Sequence, residues 1–479
     1  MGETVTESQI ETPRSFESQH SGVFHGNPTE YRCLAAEMHL PDAEGKPRVS
    51  LFSFSYLAAT DDAATRPVTF VFNGGPGSAS LWLHMGAIGP RIIKVPSEAK
   101  QAGAGPYTVL DNPLCNLDQT DLVFIDPPGT GYSTMLGEAK YADVWGLEGD
   151  AEVIAQFIKA WLTAHRRWAS PRYLCGESYG TTRAVTVAGK LSGGLAGVAF
   201  NGIALISTIL DFHTARFEKG NVMPDVCFLP TFAAAALYHG AISTDLPQAE
   251  FLDEVRDFAA TDYLTALFAG SRLTEERRIS VRDRLAAFTG LSTDWLDRTR
   301  LRIEPLRFRK ELLRNRGVTV GRLDSRYLGV DYDEAGEAPE DDPSSSAIDS
   351  AFVSSVNDHL TRALGIDWNR PYQPFNAEAL KTWTWPVKQP GETNAWPRYV
   401  NVAPILGRLL RDSPNLKVLV ANGLYDLATP FYAVESTLAG NGIDVSRICM
   451  TYYQAGHMMY LHDPSLAALM GDLRALAAG

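Results

Sequence analysis

The stretch that decides the fold reads Cys-Gly-Glu-Ser-Tyr-Gly at residues 175–180. It follows a short apolar run that ends at Leu174 and precedes a helical pattern over residues 181–191. A strand, a sharp turn and a helix in that order predict a nucleophile elbow with Ser178 at its apex. Gly176 and Gly180 would let the strand and the helix pass close together. Because glycine and serine are common, the pattern alone does not establish catalysis, and other segments must support it.

Length and composition are those of a globular enzyme. The chain has 479 residues, of which 45% are hydrophobic and 21% charged. That length allows one large domain with insertions, or two to three domains. The net charge of -13 argues against binding to nucleic acid or to an anionic membrane surface.

The sequence contains no evident targeting segment and no cysteine motif. No run of about twenty apolar residues occurs, so no transmembrane helix is predicted. Residues 1–21 lack the apolar core of a signal peptide, so the sequence as it stands predicts a cytoplasmic protein, or a secreted or periplasmic one if a leader was removed. The five cysteines are widely spaced. We therefore expect neither a disulfide scaffold nor a metal site, although a single bridge stays open.

The order of apolar runs predicts an α/β fold. Residues 1–20 are polar and predict a flexible N-terminal arm. Alternating segments at residues 30–40 and 48–57 predict an antiparallel hairpin. From residue 68 onward, apolar strands alternate with helical patterns, which predicts a mostly parallel central sheet with helices on both faces. We expect this core to comprise residues 21–210 and 398–479, and residues 211–397 to form an inserted, mainly helical cap domain.

Two further polar residues follow apolar strands in the second half of the core. Asp426 comes after the strand at residues 416–420, and His457 comes after the strand at residues 448–453. A serine nucleophile needs a histidine to take its proton and a carboxylate to orient that histidine. The order serine, aspartate, histidine is that of α/β hydrolases, so Ser178, Asp426 and His457 are predicted as a catalytic triad.

Asp426 and His457 each also have a simpler, structural interpretation. Asp426 could cap the following helix or close an Asx turn, and His457 could be a structural loop histidine. The rival bases are His213, His239 and His462. The shared position at strand ends, in the right order, favours the triad.

An acyl-transfer site also needs two N–H donors for the oxyanion. The backbone N–H of Tyr179 is the first candidate, because it follows the nucleophile. The loop Asn-Gly-Gly-Pro-Gly at residues 73–77, also at a strand end, is the second. That loop could be a mere turn, but paired glycines that expose N–H groups fit the oxyanion role better.

These segments together resemble the serine carboxypeptidase family. The resemblance runs from about residue 22 to 478, is weakest over the cap, and rests on five blocks in order: residues 73–78, 125–133, 176–180, 422–426 and 455–458. Two variants, Trp-Leu-His-Met-Gly at 82–86 and Gly-Thr-Thr-Arg at 180–183, look most like the bacterial branch.

The resemblance implies an α/β-hydrolase fold and an enzyme that removes single residues from peptide C-termini, with no cofactor. It implies Ser178 as nucleophile, His457 as base and Asp426 as the residue that orients the base. It implies an oxyanion hole at the N–H groups of Gly75 and Tyr179. The substrates would be peptides with a free C-terminus, and a homodimer stays open because family members include dimers.

The family likeness also implies a site for the terminal carboxylate of the substrate, formed by Asn73, the Gly74 backbone and Glu177. A glutamate beside a bound carboxylate helps only if it is protonated and donates a hydrogen bond. Such a site binds best in acid. Glu177 could instead only support the elbow.

The sequence departs from the better-known eukaryotic pattern of the family. A second glutamate of that pattern is replaced by Ala87, so we expect a weaker acid preference. His84 could substitute as a donor, although a packing or surface histidine is the simpler reading. Thr429 replaces a cysteine, and with Met458 it is predicted to line the leaving-group pocket.

Two rival functions remain. An esterase or acyltransferase could use the same triad on the same fold. A non-catalytic binding protein with a decayed site is disfavoured by the complete set of triad residues.

Overall fold

The computed structural model describes residues 10–193, 197–386 and 399–478. Within these ranges the strands are β1 (Ser15–Phe24), β2 (Asn27–Pro41), β3 (Pro47–Ala58), β4 (Val68–Phe72), β5 (Arg91–Lys94), β6 (Thr108–Asp111), β7 (Asp121–Asp126), β8 (Thr134–Met135), β9 (Arg172–Glu177), β10 (Gly202–Ile206), β11 (Thr319–Val320), β12 (Leu328–Gly329), β13 (Lys417–Gly423) and β14 (Ile448–Tyr453).

The α-helices of the same ranges are α1 (Leu81–Leu83), α2 (Leu147–Ala164), α3 (Tyr179–Ser192), α4 (Met223–Tyr238), α5 (Gln248–Phe258), α6 (Leu264–Ala269), α7 (Glu275–Thr289), α8 (Thr293–Arg298), α9 (Pro305–Glu311), α10 (Pro343–Ser346), α11 (Asp349–Asp358), α12 (Ala377–Thr382), α13 (Ala403–Asp412), α14 (Phe431–Gly440) and α15 (Asp463–Ala477).

A ten-stranded sheet forms the centre of the molecule. Its order is β1-β2-β3-β7-β4-β9-β10-β13-β14, with β8 beside β3. From β7 to β14 all neighbouring pairs are parallel, and β1 to β3 are antiparallel. Strands β7 and β10 are buried along their whole length, because helices cover both faces of the sheet. The mostly parallel sheet predicted from the sequence is therefore confirmed.

Two apolar clusters lie on opposite faces of this sheet. Helices α2, α3 and α13 pack on one face, and α11 and α15 pack on the other. The active-site loops follow the carboxyl ends of β4, β9, β13 and β14, which lie in one parallel array. Parallel strands bring their carboxyl ends to the same edge, and this edge is where the polar residues of the motifs collect.

The N-terminal arm differs from the prediction. Ser15–Phe24 forms β1, which pairs antiparallel with β2 over its full length. The turn between them is His25-Gly26, with φ of 48° and 84°, a combination that suits a tight two-residue hairpin. The predicted flexible arm is thus wrong for residues 15–20, because backbone pairing at the sheet edge needs few apolar side chains. Residues 1–9 lie outside the described residues.

The predicted cap, residues 211–397, divides into two parts in the structure. Helices α4 to α9 enclose a separate apolar core, which also takes in Leu424 and Phe431 from the hydrolase core. Phe352 of α11 and Tyr372 pack instead against the aromatic side of the sheet. The described part of the predicted cap therefore packs in two places. The predicted boundary at residue 397 lies outside the described residues and remains a prediction.

All five cysteines are free thiols. Four are buried, and Cys449 is exposed on the edge strand β14. Among the helices in the described ranges, none combines the length and apolar content needed to cross a bilayer.

Candidate active site

The elbow at residues 175–180 has the geometry that the glycines allow. Strand β9 ends at Glu177, helix α3 begins at Tyr179, and Ser178 between them has φ 60° and ψ −128°. A serine with positive φ is strained, and the strain holds its side chain above the strand ends. A Cβ atom on Gly176 would lie 2.1 Å from the carbonyl oxygen of Gly180, so strand and helix can approach this closely only with glycine.

Asp426 and His457 are joined directly. The Nδ1 atom of His457 lies 2.7 Å from Oδ2 of Asp426, and the Asp426 side chain is fully buried. The other carboxylate oxygen accepts the N–H groups of Ala428 at 2.7 Å and Thr429 at 3.0 Å. This set of donors holds the carboxylate in one orientation, as a residue that fixes a histidine tautomer requires.

The ionisation of His457 is set by two opposing effects. Burial lowers the pKa of His457, and the adjacent Asp426 carboxylate raises it. The net pKa lies above the ordinary value, so the effects that raise it outweigh burial. A histidine that gains basicity from a buried aspartate is suited to accept the proton of a serine.

Ser178 is bonded through its backbone to the end of β10, at the same edge of the sheet. Its backbone N–H donates to the carbonyl of Ile206 at 2.9 Å, and the neighbouring Ser207 hydroxyl donates to the carbonyl of His457 at 2.5 Å. Within the described residues the Ser178 hydroxyl makes no hydrogen bond of its own. Catalytic hydrogen bonds are commonly long in unliganded enzymes and shorten when substrate binds.

The loop of residues 73–75 packs directly on the elbow. A Cβ atom on Gly74 would lie 2.5 Å from the Tyr179 nitrogen, so glycine is required for this approach. Gly75 has φ of 101°, a conformation that favours glycine. The N–H of Tyr179 stands in the first turn of α3, where no carbonyl of the same helix can accept it. The oxyanion assignment of Gly75 and Tyr179 remains a prediction.

Glu177 is the most informative side chain beside the nucleophile. Its Oε2 atom accepts hydrogen bonds from the Asn73 amide and, at 3.1 Å, from the Tyr460 hydroxyl. Its Oε1 atom is buried and has no partner among the described residues. Burial raises the pKa of Glu177 to about 7. Asn73 is itself fixed by the Leu83 N–H, which donates to Asn73 Oδ1 at 3.0 Å.

Thr429 contacts the Asp426–His457 pair directly. Its hydroxyl donates to Asp426 Oδ2 at 2.7 Å and lies 3.2 Å from His457 Nδ1. The assignment of Thr429 to the leaving-group pocket remains a prediction. Met458, the other predicted pocket residue, is 7% exposed beside His457.

His84 is a core residue and does not contact Glu177. Its Nε2 lies 2.7 Å from the Tyr56 hydroxyl, and its ring stacks on Phe124 with a centroid distance of 4.3 Å. Burial and the nearby His359 hold its pKa well below the usual value, so the ring is neutral. Ala87, at the position of the missing glutamate, is buried.

Sequence reasoning missed three contributors to the site. Tyr460 sits in a segment without any motif, and only its position soon after His457 could have suggested it. The buried pair of Arg183 and Asp150 was missed because both lie in helical patterns that predict packing. Arg183 Nη1 donates to the Asn73 carbonyl at 2.5 Å. Gly456 contributes through close packing, which its motif does not indicate and which is described below.

Comparisons of the sequence with known proteins found similarity to serine carboxypeptidases. Residues 40–216 match the family model described as serine carboxypeptidase. A curated relative, serine carboxypeptidase-like 16 of Arabidopsis thaliana, is 26% identical over 173 residues, and the match covers 35% of this chain and 38% of the length of that relative.

A solved structure covers nearly the whole chain. KEX1(DELTA)P, a prohormone-processing carboxypeptidase from Saccharomyces cerevisiae, superposes with a TM-score of 0.55 at 14% identity, over 92% of this chain and 91% of its own. At that identity the likeness concerns the fold, and it confirms the α/β-hydrolase fold predicted from the sequence.

Proposed function

We propose that the chain is a serine-type carboxypeptidase that hydrolyses the C-terminal peptide bond of peptides, since residues 40–216 match the serine carboxypeptidase family model and a curated relative bears that family's name. The observation that carries the proposal is Glu177, a buried carboxyl group adjacent to Ser178. One of its oxygens has no partner in the part of the chain that the structure describes, and burial raises its pKa to about 7. A protonated carboxyl group donates a hydrogen bond to a substrate carboxylate, and that carboxylate is present on every peptide with a free C-terminus.

The acylation step follows from the triad. His457 Nε2 accepts the proton of the Ser178 hydroxyl as Oγ attacks the carbonyl carbon of the last peptide bond. Asp426 stabilises the imidazolium that forms, and its bond to Nδ1 keeps Nε2 directed at the serine. The N–H groups of Gly75 and Tyr179 receive the developing oxyanion. The C–N bond then breaks, and His457 returns the proton to the leaving amine, which departs as a free amino acid.

Deacylation repeats the sequence with water. His457 takes a proton from the water molecule, the hydroxide attacks the acyl carbon, and Ser178 leaves as its hydroxyl form when the proton is returned. The products are a shortened peptide and one amino acid. Met458, next to the base, is proposed to border the pocket for the leaving residue.

The carboxylate pocket explains why the terminal bond would be selected. Asn73, the Gly74 backbone and Glu177 lie immediately beside the elbow, because Gly74 packs against the Tyr179 nitrogen. A carboxylate held there is only one residue away from the bond presented to Ser178. An endopeptidase or a simple esterase has no use for a buried carboxyl donor at this position.

The decisive experiment compares three N-blocked substrates that share the same acyl residue: a dipeptide with a free C-terminus, its C-terminal amide and the corresponding ester. We expect release of the last residue from the free dipeptide and a much lower kcat/KM for the amide. Ser178→Ala, which removes the nucleophile, should be inactive on all three. Equal cleavage of amide and free dipeptide would contradict the carboxypeptidase assignment and favour an esterase or another amidase.

A further inference from the structure

A short cap segment, residues 322–325, lies between the two loops that carry Asp426 and His457. On the histidine side, the Leu323 carbonyl accepts the His457 N–H at 2.6 Å. The next residue, Asp324, accepts the Gly456 N–H on its Oδ2 atom at 3.0 Å. Two consecutive backbone donors of the histidine loop are therefore bonded to two consecutive residues of the cap.

The same segment is bonded to the aspartate loop. The Arg322 carbonyl accepts the N–H of Leu427 at 3.0 Å, and the Ser325 N–H donates to the carbonyl of Tyr425 at 2.9 Å. These contacts fall on the residues immediately before and after Asp426. The segment thus joins the backbone of both loops, in addition to the direct side-chain bond between Asp426 and His457.

Gly456 makes this contact possible. A Cβ atom at residue 456 would lie 2.4 Å from the Leu323 carbonyl oxygen and 2.5 Å from Asp324 Cα. Gly456 is not among the residues with positive φ, so its backbone conformation does not itself call for glycine. Glycine at this position is explained by the close approach of the cap segment.

Asp324 is held firmly. Arg326 Nη2 donates to Asp324 Oδ2 at 2.6 Å, and Arg326 Nη1 donates to the carbonyl of Gln454 at 2.9 Å. The side chains of Asp324 and Arg326 are only 5% and 3% exposed. Behind the segment, Asp342 accepts the Arg322 N–H at 2.8 Å. A buried carboxylate with this many donors has little freedom to move.

From these contacts we propose that Asp324 is a positioning residue for the base: it fixes the backbone of the histidine loop so that His457 faces Ser178. The proposal rests on the proposed triad. A displacement of about 1 Å in a catalytic group can lower the rate about 100-fold, and no other side chain of the described residues holds the Gly456 N–H. The cap is then part of the catalytic machinery and not only a cover over the substrate site.

The test compares Asp324→Ala, Asp324→Asn and a matched control, Asp225→Ala. Asp225 is also a buried cap carboxylate that accepts one backbone N–H, from Ile303 at 3.2 Å, and one arginine, Arg302 at 2.6 Å. It has no contact with the histidine loop among its recorded partners. The variants would be checked for folding by circular dichroism and thermal unfolding before the kinetics are measured.

We expect Asp324→Ala to lower kcat about 100-fold with KM within about twofold of wild type. Asp324→Asn keeps an oxygen acceptor for the Gly456 N–H and should lose less than about tenfold in kcat. Asp225→Ala should keep the wild-type kcat even where it loses stability. An unchanged kcat in folded Asp324→Ala, or an equal loss in Asp225→Ala, would overturn the proposal.

If Asp324→Ala does not fold, a second pair of variants tests whether the cap segment positions His457. Gly456→Ala forces the Leu323 carbonyl away from the histidine loop, and it should lower kcat at least about tenfold with KM unchanged. The control is Gly471→Ala in α15, where an added Cβ meets nothing within 4 Å. Wild-type kcat in Gly456→Ala would overturn the proposal.

The rate at which a fluorophosphonate labels Ser178 separates this inference from the substrate assignment. Labelling needs the base but no peptide carboxylate, so it should fall in Asp324→Ala and Gly456→Ala as kcat does. If wild type is labelled but cleaves no peptide, the carboxypeptidase assignment fails and the labelling rates of the variants still decide the role of Asp324. If wild type is not labelled at all, the triad and this inference fail together.

Discussion

Tyr460 donates a hydrogen bond of 3.1 Å to Oε2 of Glu177, the same oxygen that accepts the Asn73 amide. Both donors therefore act on one oxygen, and among the described residues Oε1 has no partner. A carboxyl group whose free oxygen is buried beside a nucleophile carries its proton more readily than one in water, because the charged form is poorly solvated. Under the proposed function, this raised pKa would let Glu177 offer a proton to a substrate carboxylate at pH values below about 7.

The pH dependence of substrate binding is the first prediction. The raised pKa of about 7 means that Glu177 is protonated below pH 7 and loses its proton above it. For a dipeptide with a free C-terminus, kcat/KM should therefore fall as pH rises through 7, by up to about tenfold per pH unit, mainly through KM. In Glu177→Gln the amide donates at every pH, so this alkaline fall should disappear, while the fall in acid caused by protonation of His457 should remain.

Asp126→Asn is the matched control for that experiment. Burial also raises the pKa of Asp126 to about 7, and its recorded donors are the Ser80 N–H and the Tyr372 hydroxyl, outside the proposed carboxylate site. This variant should keep the alkaline fall. Superimposable pH profiles of wild type and Glu177→Gln would refute the proposed role of Glu177.

The Thr429 hydroxyl gives the second prediction. It donates to Asp426 Oδ2, and a hydrogen bond to a charged group contributes roughly 1.5–3 kcal/mol. Thr429→Val should therefore lower kcat/KM by about 10- to 100-fold, and Thr429→Ser should retain most of it. The control is Thr437→Val, which removes a buried hydroxyl that bonds only the Ala433 carbonyl. Full activity of Thr429→Val would mean that the backbone donors alone hold the aspartate.

The sequence was sufficient for the parts of the site that lie on short, local motifs. The elbow can be predicted because Gly176, Ser178 and Gly180 lie within five residues, and the two glycines are required where strand and helix pass close together. The positions of Asp426 and His457 can be predicted because parallel strands such as β13 and β14 are largely apolar runs. A polar residue just after such a run is easily recognised.

Contacts between segments that are distant in the sequence could not be predicted from it. Asp324 meets Gly456 across 132 residues, and nothing in the local pattern around either residue marks the other. β1 was missed for a related reason: its polar composition resembles a flexible arm, and only pairing with β2 makes it a strand. Thr429 shows a third limit, since its sequence position does not indicate that its hydroxyl bonds Asp426.

His84 gives the third prediction, which concerns stability. His84→Phe keeps the stacking on Phe124 but leaves the buried Tyr56 hydroxyl without this partner, at a cost of about 1–3 kcal/mol in the free energy of unfolding. Adding Tyr56→Phe removes the unpaired hydroxyl and should recover part of the loss. Urea unfolding measures both effects. The pH profile of kcat/KM should stay unchanged, because burial keeps the pKa of His84 low and the ring neutral; loss of either limb of that profile would contradict a purely structural role.

A buried ion pair, Arg183 with Asp150, contacts the loop of residues 73–75. Arg183 Nε donates to Asp150 Oδ2 at 2.7 Å, with side-chain exposures of 0% and 1%. The same guanidinium donates to the Asn73 carbonyl and lies 5.1 Å from the ring centroid of Tyr179. The pair therefore contacts both the loop of residues 73–75 and Tyr179, the residue after Ser178.

The fourth prediction separates the two contributions of this pair. Asp150→Leu alone leaves a buried guanidinium without its counter-ion and should cost about 3–5 kcal/mol in the free energy of unfolding. Asp150→Leu combined with Arg183→Met removes both charges, and urea unfolding should show most of that stability restored. The double variant still lacks the donor to the Asn73 carbonyl, so kcat/KM for a dipeptide with a free C-terminus should remain about tenfold or more below wild type, chiefly through KM. If the double variant regained activity together with stability, the pair would serve the core alone, and the position of Asn73 would have to be fixed by the Leu83 N–H and the close packing of Gly74.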